Sequence, residues 1–105
     1  MRMTHATALV LAALASGCRY GFDVMDATGL PSGTVYPVLR RLDGSGLVRS
    51  GWEDADSEET SRGGPRRRMY ALTAAGLRAV ETADERLADA RRLLERRFAP
   101  EGGEA

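Results

Sequence analysis

One stretch near the middle of the chain constrains the fold more than any other, residues 28–48 with the sequence TGLPSGTVYPVLRRLDGSGLV. Its apolar residues recur at i, i+3, i+4 and i+7, as on the buried stripe of a helix. They are Val35, Val38, Leu39 and Leu42. The stretch therefore predicts a short turn at Thr28–Leu30, a helix over about 32–44 that ends at Gly44–Gly46, and then the start of a strand.

A proline at position 37 lies inside this predicted helix. Proline has no N–H to bond four residues back, and its ring crowds the carbonyl of that residue. The residue is Gly33, in the first turn, where the chain can adjust. We expect Ser32 to be the N-cap; the alternative is that the regular helix begins only near Tyr36.

The face opposite the apolar stripe carries hydroxyl and guanidinium groups and almost no carboxylate. Its residues are Thr34, Tyr36, Pro37, Arg40 and Arg41. Arginine pairs with guanine edges or phosphates, and hydroxyls reach bases or backbone oxygens, so such a face suits a DNA major groove. The alternative is an ordinary solvated helix on which the arginines serve only solubility.

The elements around this helix predict a winged helix-turn-helix. A strand is expected over Leu47–Glu53, a polar loop over 54–65 and a returning, arginine-rich strand over Arg66–Leu72. Two shorter helices are expected upstream, over about 4–16 and 20–27, and one long helix downstream, over about 73–97. The predicted fold class is mainly α with a small β-hairpin, a winged helix-turn-helix followed by a long C-terminal dimerisation helix.

Three motifs in this order resemble the PadR-like transcriptional regulators: YGFDVM (20–25), SGTVYPVLRRLDGSGLV (32–48) and GGPRRRMYALTAAG (63–76). The resemblance implies a sequence-specific DNA-binding regulator, a homodimeric repressor that reads a pseudo-palindromic double-stranded operator. It also implies a dimer made by the first and last helices, and small lipophilic effectors near that interface. The predicted returning strand begins with three consecutive arginines, 66–68, and strand alternation points at most two of them the same way. The predicted DNA contacts are Ser32, Thr34, Tyr36, Arg40 and Arg41 on the helix, and Arg66, Arg67 and Arg68 on the wing.

The long last helix repeats apolar residues every seven positions. At about 1.5 Å per residue it is longer than a small domain can cover, so its uncovered part predicts a dimer interface. The alternative is that it packs only on the first helix of its own chain. Acidic residues fill its first half and arginines its second, which suits an antiparallel partner and equally the helix dipole. The predicted interface is Leu77, Val80, Ala83, Leu87, Ala90 and Leu94.

Length and charge agree with this organisation. A chain of 105 residues makes one small unit, here a DNA-binding part over 1–72, a dimerisation helix over 73–98 and a disordered tail over 99–105. The net charge is zero, while arginines gather around the helix-turn-helix and the wing. Local basic patches on a neutral chain are compatible with specific DNA binding and argue against strong non-specific affinity.

The N-terminus has two interpretations. An arginine, the apolar run Ala6–Ala15 and the sequence ASGC ending at Cys18 outline a bacterial lipoprotein signal. The alternative is a buried helix capped near Thr4 and stopped at Gly17. We favour the helix, because no tether follows Cys18 and cleavage there would remove the first helix of the domain. A lone cysteine makes no internal disulfide, which suits a reducing cytoplasm, and Cys18 is predicted to serve packing.

No catalytic constellation is visible in the sequence. The one histidine, His5, has no nearby cysteine or paired carboxylate, so neither an enzyme nor a metal or other cofactor is predicted. Trp52 is expected to pack against the wing or the third helix. The principal rival function is a winged-helix protein-interaction module that does not bind DNA.

Overall fold

The computed structural model describes residues 2–53 and 67–98. Within these ranges the chain is mainly helical, with a two-stranded antiparallel hairpin and a long C-terminal helix, as predicted. The predicted polar loop over 54–65, Arg66 at the start of the predicted returning strand, and the predicted disordered tail over 99–105 all lie outside the described residues. The elements are α1 (His5–Ala15), α2 (Gly21–Thr28), α3 (Ser32–Gly44), β1 (Val48–Trp52), β2 (Arg68–Leu72) and α4 (Ala74–Phe98).

Helix α1 is the centre of the core. Thr4 caps it, because its hydroxyl oxygen accepts a hydrogen bond of 3.1 Å from the backbone N–H of Thr7. Val10 and Leu11 have no exposed surface, and burying such a side chain contributes about 2 kcal/mol to folding. The buried helix predicted for Ala6–Ala15 is therefore confirmed. None of the described helices is long and apolar enough to cross a membrane.

Cys18 follows α1 and is partly buried against the core. Burial, and secondly the charge of Asp23, raise the pKa of its thiol above the ordinary value. The Sγ–H group donates a weak hydrogen bond of 3.7 Å to the Asp23 carbonyl oxygen. A thiol that stays protonated reacts slowly, so the environment of Cys18 fits the predicted packing role.

Helix α3 has the predicted bounds, and its four stripe residues are buried. The prediction of Ser32 as N-cap is wrong. Pro31 is the cap, with φ −74° and ψ 162°, and its carbonyl oxygen accepts from the backbone N–H groups of Thr34 and Val35 at 2.9 and 3.0 Å. The fixed φ of proline already suits the cap position, so Ser32 becomes the first helical residue. The alternative start near Tyr36 is excluded.

The hairpin is fixed to the helical body along one edge. In its register Val48 lies opposite Leu72, and Ser50 opposite Tyr70; Val48 and Tyr70 are buried. On the outer side of β2, the backbone N–H of Tyr70 donates to the Arg19 carbonyl oxygen at 2.7 Å, and Tyr20 bridges to Met69. Strand β2 therefore lies between β1 and the segment that leads into α2.

Helix α4 begins in direct contact with the turn between α3 and β1. The hydroxyl of Thr73 donates to the Gly46 carbonyl oxygen at 2.7 Å and accepts from the backbone N–H of Gly76 at 3.0 Å. A Cβ atom at position 76 would lie 2.0 Å from the backbone oxygen of Leu47. Gly76 is thus required by a close backbone approach, which the sequence pattern alone did not reveal.

The first half of α4 packs along α1, and the second half extends beyond the domain. Ala83 is completely buried within its own chain, and Val80 and Leu87 pack against the core. Residues 91–98 are all exposed. Ala83 therefore has no surface left for a partner and is removed from the predicted interface. Leu77 and Leu94 remain 60% and 57% exposed.

Candidate nucleic-acid interface

A cleft separates the C-terminal half of α3 from the hairpin. Its volume is about 360 Å³. It is the place where basic groups from two elements meet, since Arg40 comes from the helix and Arg68 from the returning strand. The lining residues are Tyr36, Arg40, Asp43, Arg68 and Tyr70. Arg40 reaches the cleft from the exposed face of α3, opposite the buried stripe.

The guanidinium of Arg68 is held in place by its neighbours. Its Nη2 donates a hydrogen bond of 2.9 Å to the Ser50 hydroxyl oxygen. That hydroxyl in turn donates to Oδ2 of Asp43 at 2.7 Å. The guanidinium carbon also lies 5.4 Å from the centroid of the Trp52 ring, within the range of a cation–π contact. The sequence predicts packing of Trp52 against the wing or the third helix. In the structure it contacts Arg68 of the wing but remains 59% exposed, so it is not a packed core residue.

Tyr70 places a phenol at the floor of the cleft. Burial raises the pKa of its hydroxyl above the ordinary value; Arg68 and Arg40 act against this shift, whereas Tyr36 and Asp43 reinforce it. A phenol is protonated at neutral pH even at its ordinary pKa, and the upward shift keeps it so. It can donate a hydrogen bond as well as accept one.

Tyr36 is partly exposed, and its ring lies against the start of α2. A Cβ atom at Gly21 would come within 2.4 Å of the ring Cε1, so only glycine leaves room for the ring in this position. The motif YGF at the start of α2 therefore contributes to the interface indirectly. Because Gly21 has no side chain, its backbone leaves the space that the ring of Tyr36, a predicted DNA contact of α3, occupies.

The other predicted contacts of α3 lie outside the cleft. Arg41 lies on the opposite flank of the helix, at a depression lined by Arg2, Thr4, Thr7, Arg41 and Ser45. Ser32 is exposed and Thr34 partly so, both in the first turn. The structure thus brings Tyr36 and Arg40 together with Arg68, and it separates Arg41 from them.

Arg67 directly precedes β2, and its carbonyl oxygen continues the pairing by accepting from the backbone N–H of Glu53 at 2.8 Å. Alternation therefore directs its side chain away from that of Arg68. The Arg67 guanidinium lies 4.0 Å from the centroid of the Tyr20 ring, and its Nε is 3.5 Å from Oε2 of Glu53. Glu53 is only 3% exposed. Its carboxylate accepts from the Tyr20 hydroxyl at 3.3 Å and from the backbone N–H of Arg67 at 3.2 Å.

The interactions of Glu53 were missed at the sequence level. A single carboxylate at the end of a predicted strand resembles any solvated residue, and its partner Tyr20 lies far away in the sequence. Alternation did separate Arg67 from Arg68, but it did not say which of them faces the body of the domain. Among residues 2–53 and 67–98, no group of three histidine, cysteine or acidic side chains could hold a metal ion.

A helix-turn-helix whose second helix presents arginine and tyrosine, flanked by a hairpin with a converging arginine, defines a winged helix-turn-helix DNA-binding protein. More specifically, the chain belongs to the PadR-like family of transcriptional regulators, whose family model matches residues 10–82. No curated protein matches the chain significantly. The members of this family are DNA-binding transcriptional regulators and not enzymes, and the protein is accordingly such a regulator.

Solved structures support the same fold. A PadR family transcription regulator from Clostridium difficile superposes with a TM-score of 0.71 at 20% identity, over 91% of this chain and 100% of that one. The PcaV transcriptional regulator from Streptomyces coelicolor, in complex with its natural ligand, gives a TM-score of 0.71 at 24% identity, over 94% and 65% of the two chains. BpsR from Bordetella bronchiseptica, whose DNA binding is regulated by 6-hydroxynicotinic acid, gives 0.64 at 28% identity, over 91% and 65%.

Proposed function

We propose that the protein is a homodimeric repressor that binds a pseudo-palindromic operator. Helix α3 enters the major groove, and the hairpin contacts the adjacent sugar–phosphate backbone. The observation that carries this proposal is the convergence of Arg40 and Arg68, from two different elements, on one cleft beside α3. Two such domains related by a twofold axis read half-sites about one helical turn apart.

The contacts divide by their place in the structure. Tyr36 and Arg40 are the base-reading candidates, and Arg68 is the backbone candidate of the wing. Ser32, Thr34 and Arg41 contact the duplex along the remainder of α3. The predicted DNA contact of Arg66 lies outside the described residues. Arg67 belongs to a different class, because its side chain is engaged by Glu53 and Tyr20.

The dimer forms through the part of α4 that its own chain leaves uncovered. Leu94 is 57% exposed, and Leu93 and Phe98 are similarly accessible. Arg91 and Arg92 form ion pairs with Glu95 and Asp89 on the same helix. Because those charges are already neutralised locally, the apolar side chains, rather than the charge pattern, support the interface. The predicted residues that retain surface for it are Leu77, Val80, Leu87, Ala90 and Leu94.

A regulator of this kind works on genomic DNA in the bacterial cytoplasm, and a small lipophilic effector is a second candidate partner. BpsR, which shares the fold at 28% identity, has its DNA binding regulated by a small aromatic acid. We extend this mode of control to the present chain as a proposal. Its test is the loss of operator binding when small lipophilic compounds and, separately, small aromatic acids are added to the purified complex.

Selection of genomic DNA fragments by the purified protein tests the proposed function directly. The fragments should share a pseudo-palindrome, and Arg40→Ala should lose the preference for it. Arg86→Ala is the matched control, because Arg86 is an exposed arginine on α4. Failure to enrich any sequence would favour the rival, a winged-helix interaction module that does not bind DNA.

A further inference from the structure

We propose that Asp43 and Ser50 are positioning residues that hold Arg68 ready for a DNA phosphate. The inference rests on the proposed function, since it assumes that Arg68 contacts the operator backbone. It assigns a role to two residues that the motifs alone do not distinguish. One is the carboxylate on the otherwise carboxylate-poor outer face of α3, and the other is a serine in the middle of β1.

The geometry is a relay that links α3 to both strands. Asp43 Oδ2 accepts the Ser50 hydroxyl proton at an oxygen–oxygen distance of 2.7 Å. A serine hydroxyl has one proton to donate and lone pairs to accept with. With its proton directed to Asp43, the oxygen presents a lone pair to Arg68 Nη2, 2.9 Å away. Without Asp43 the hydroxyl would be free to rotate, and the acceptor would no longer be aimed.

An arginine side chain that is already ordered in the free protein loses less conformational entropy on binding DNA. A free arginine side chain loses much rotational freedom when it clamps a phosphate. Arg68 is exposed, yet Ser50 and the Trp52 ring already restrict its guanidinium. A guanidinium has five N–H donors, so one bond to Ser50 leaves the others available for a phosphate. The relay can therefore persist in the complex.

A double-mutant cycle separates positioning from a general structural role. Ser50→Ala should weaken operator binding about three- to tenfold, the scale of one ordered side chain. In an Arg68→Ala background the same change should have almost no effect, because no guanidinium remains to be positioned. Ser50→Thr keeps a hydroxyl and should restore binding. An equal loss in both backgrounds, or no loss in either, would overturn the proposal.

Asp43 gives a second test that depends on the sign of the effect. A carboxylate near DNA repels phosphates, so simple electrostatics predicts that Asp43→Ala tightens binding. Positioning predicts the reverse for Asp43→Ala, a weakening that again requires Arg68. Asp43→Asn keeps an acceptor oxygen while removing the charge, and should bind at least as tightly as the native protein. Tighter binding by Asp43→Ala contradicts the relay.

Thermal unfolding of every variant serves as the check on folding, and fluorescence anisotropy with the selected operator serves as the binding assay. If the native protein binds no DNA, the proposed function itself has failed. If the native protein binds and Arg68→Ala binds equally well, Arg68 does not contact DNA and the relay has no role. Only a native-like fold with Arg68-dependent losses from Ser50→Ala and Asp43→Ala supports the inference.

Discussion

Two adjacent arginines of the wing should have separable roles. Arg68→Ala should weaken DNA binding at little cost in stability, and Arg67→Ala should destabilise the fold without affecting the phosphate contact. The reason is strand alternation, which directs Arg68 into the cleft beside α3 and Arg67 onto Tyr20 and Glu53. From the sequence, alternation places the two residues on opposite faces of the strand, but it does not say which of them faces the body of the domain.

The magnitudes follow from burial. Removing Arg67 takes a cationic partner from the carboxylate of Glu53, whose side chain is 4% exposed. A hydrogen bond to a charged group contributes about 1.5–3 kcal/mol. Arg67 itself is 42% exposed, so solvent screening reduces its share. We expect a loss of about 1–2 kcal/mol in the free energy of unfolding. Because Arg68 is exposed, Arg68→Ala should lower the free energy of unfolding by less than about 0.5 kcal/mol.

Urea unfolding and the salt dependence of DNA binding measure the two effects. Each lost phosphate contact lowers the log–log salt slope by about 0.9, so Arg68→Ala should lower the slope by that amount and Arg67→Ala should leave it unchanged. Arg49→Ala is the control, an exposed arginine on β1 that should alter neither quantity. A lower slope for Arg67→Ala with unchanged stability would refute the assignment.

Three further predictions concern other elements. Gly76→Ala should lower the free energy of unfolding by about 3 kcal/mol in urea, because the new Cβ would lie 2.0 Å from the Leu47 carbonyl oxygen. The higher helix propensity of alanine would by itself have the opposite effect, so a stabilised variant would contradict the close contact. Arg40→Ala should weaken specific operator binding by about 1–3 kcal/mol in a gel shift, with unfolding unaffected; unchanged affinity would remove Arg40 from the interface. Leu94→Asp should leave the fold of each monomer intact, because Leu94 is exposed there. It should nevertheless prevent dimerisation, because burying a carboxylate at the interface costs several kcal/mol. Light scattering should then show monomers. A persisting dimer would place the interface elsewhere.

The elements that the sequence predicted well are those with a strong local pattern. The stripe from Val35 to Leu42 has helical period and a glycine stop, so α3 was predicted with its final bounds. Regular periodicity likewise defined α4 to within a residue at each end. The order of helix, turn, helix and hairpin then left few arrangements in which every apolar face is buried.

What the sequence did not reveal depends on contacts between distant segments. Gly76 is required by the backbone of Leu47, and Glu53 is buried under Tyr20 and Arg67. Such approaches arise only after the elements pack, and no local pattern encodes them. The cap at Pro31 differs in kind. Serine is generally preferred at the N-cap, but here proline occupies it because its fixed φ angle already suits the cap position.

The site shows the same division. A face rich in arginine and hydroxyl groups was sufficient to select α3 as the candidate DNA-contacting helix. The pairing of Arg40 with Arg68 depends on how the hairpin packs on α3. The packing of Tyr36 on Gly21 depends on the crossing of α2 and α3. Neither relation could be predicted from one element alone.

The most direct test of the central claim is affinity cleavage of the selected operator by an iron chelate tethered to α3. The chelate is attached through Ser32→Cys in a Cys18→Ser background, with Arg86→Cys on α4 as the matched control. With α3 in the major groove, the chelate at position 32 should cut DNA inside each half-site, while the chelate at position 86 should give little cleavage. Equal cleavage from both positions, or none from position 32 in a complex that still binds, would contradict the proposed docking of α3.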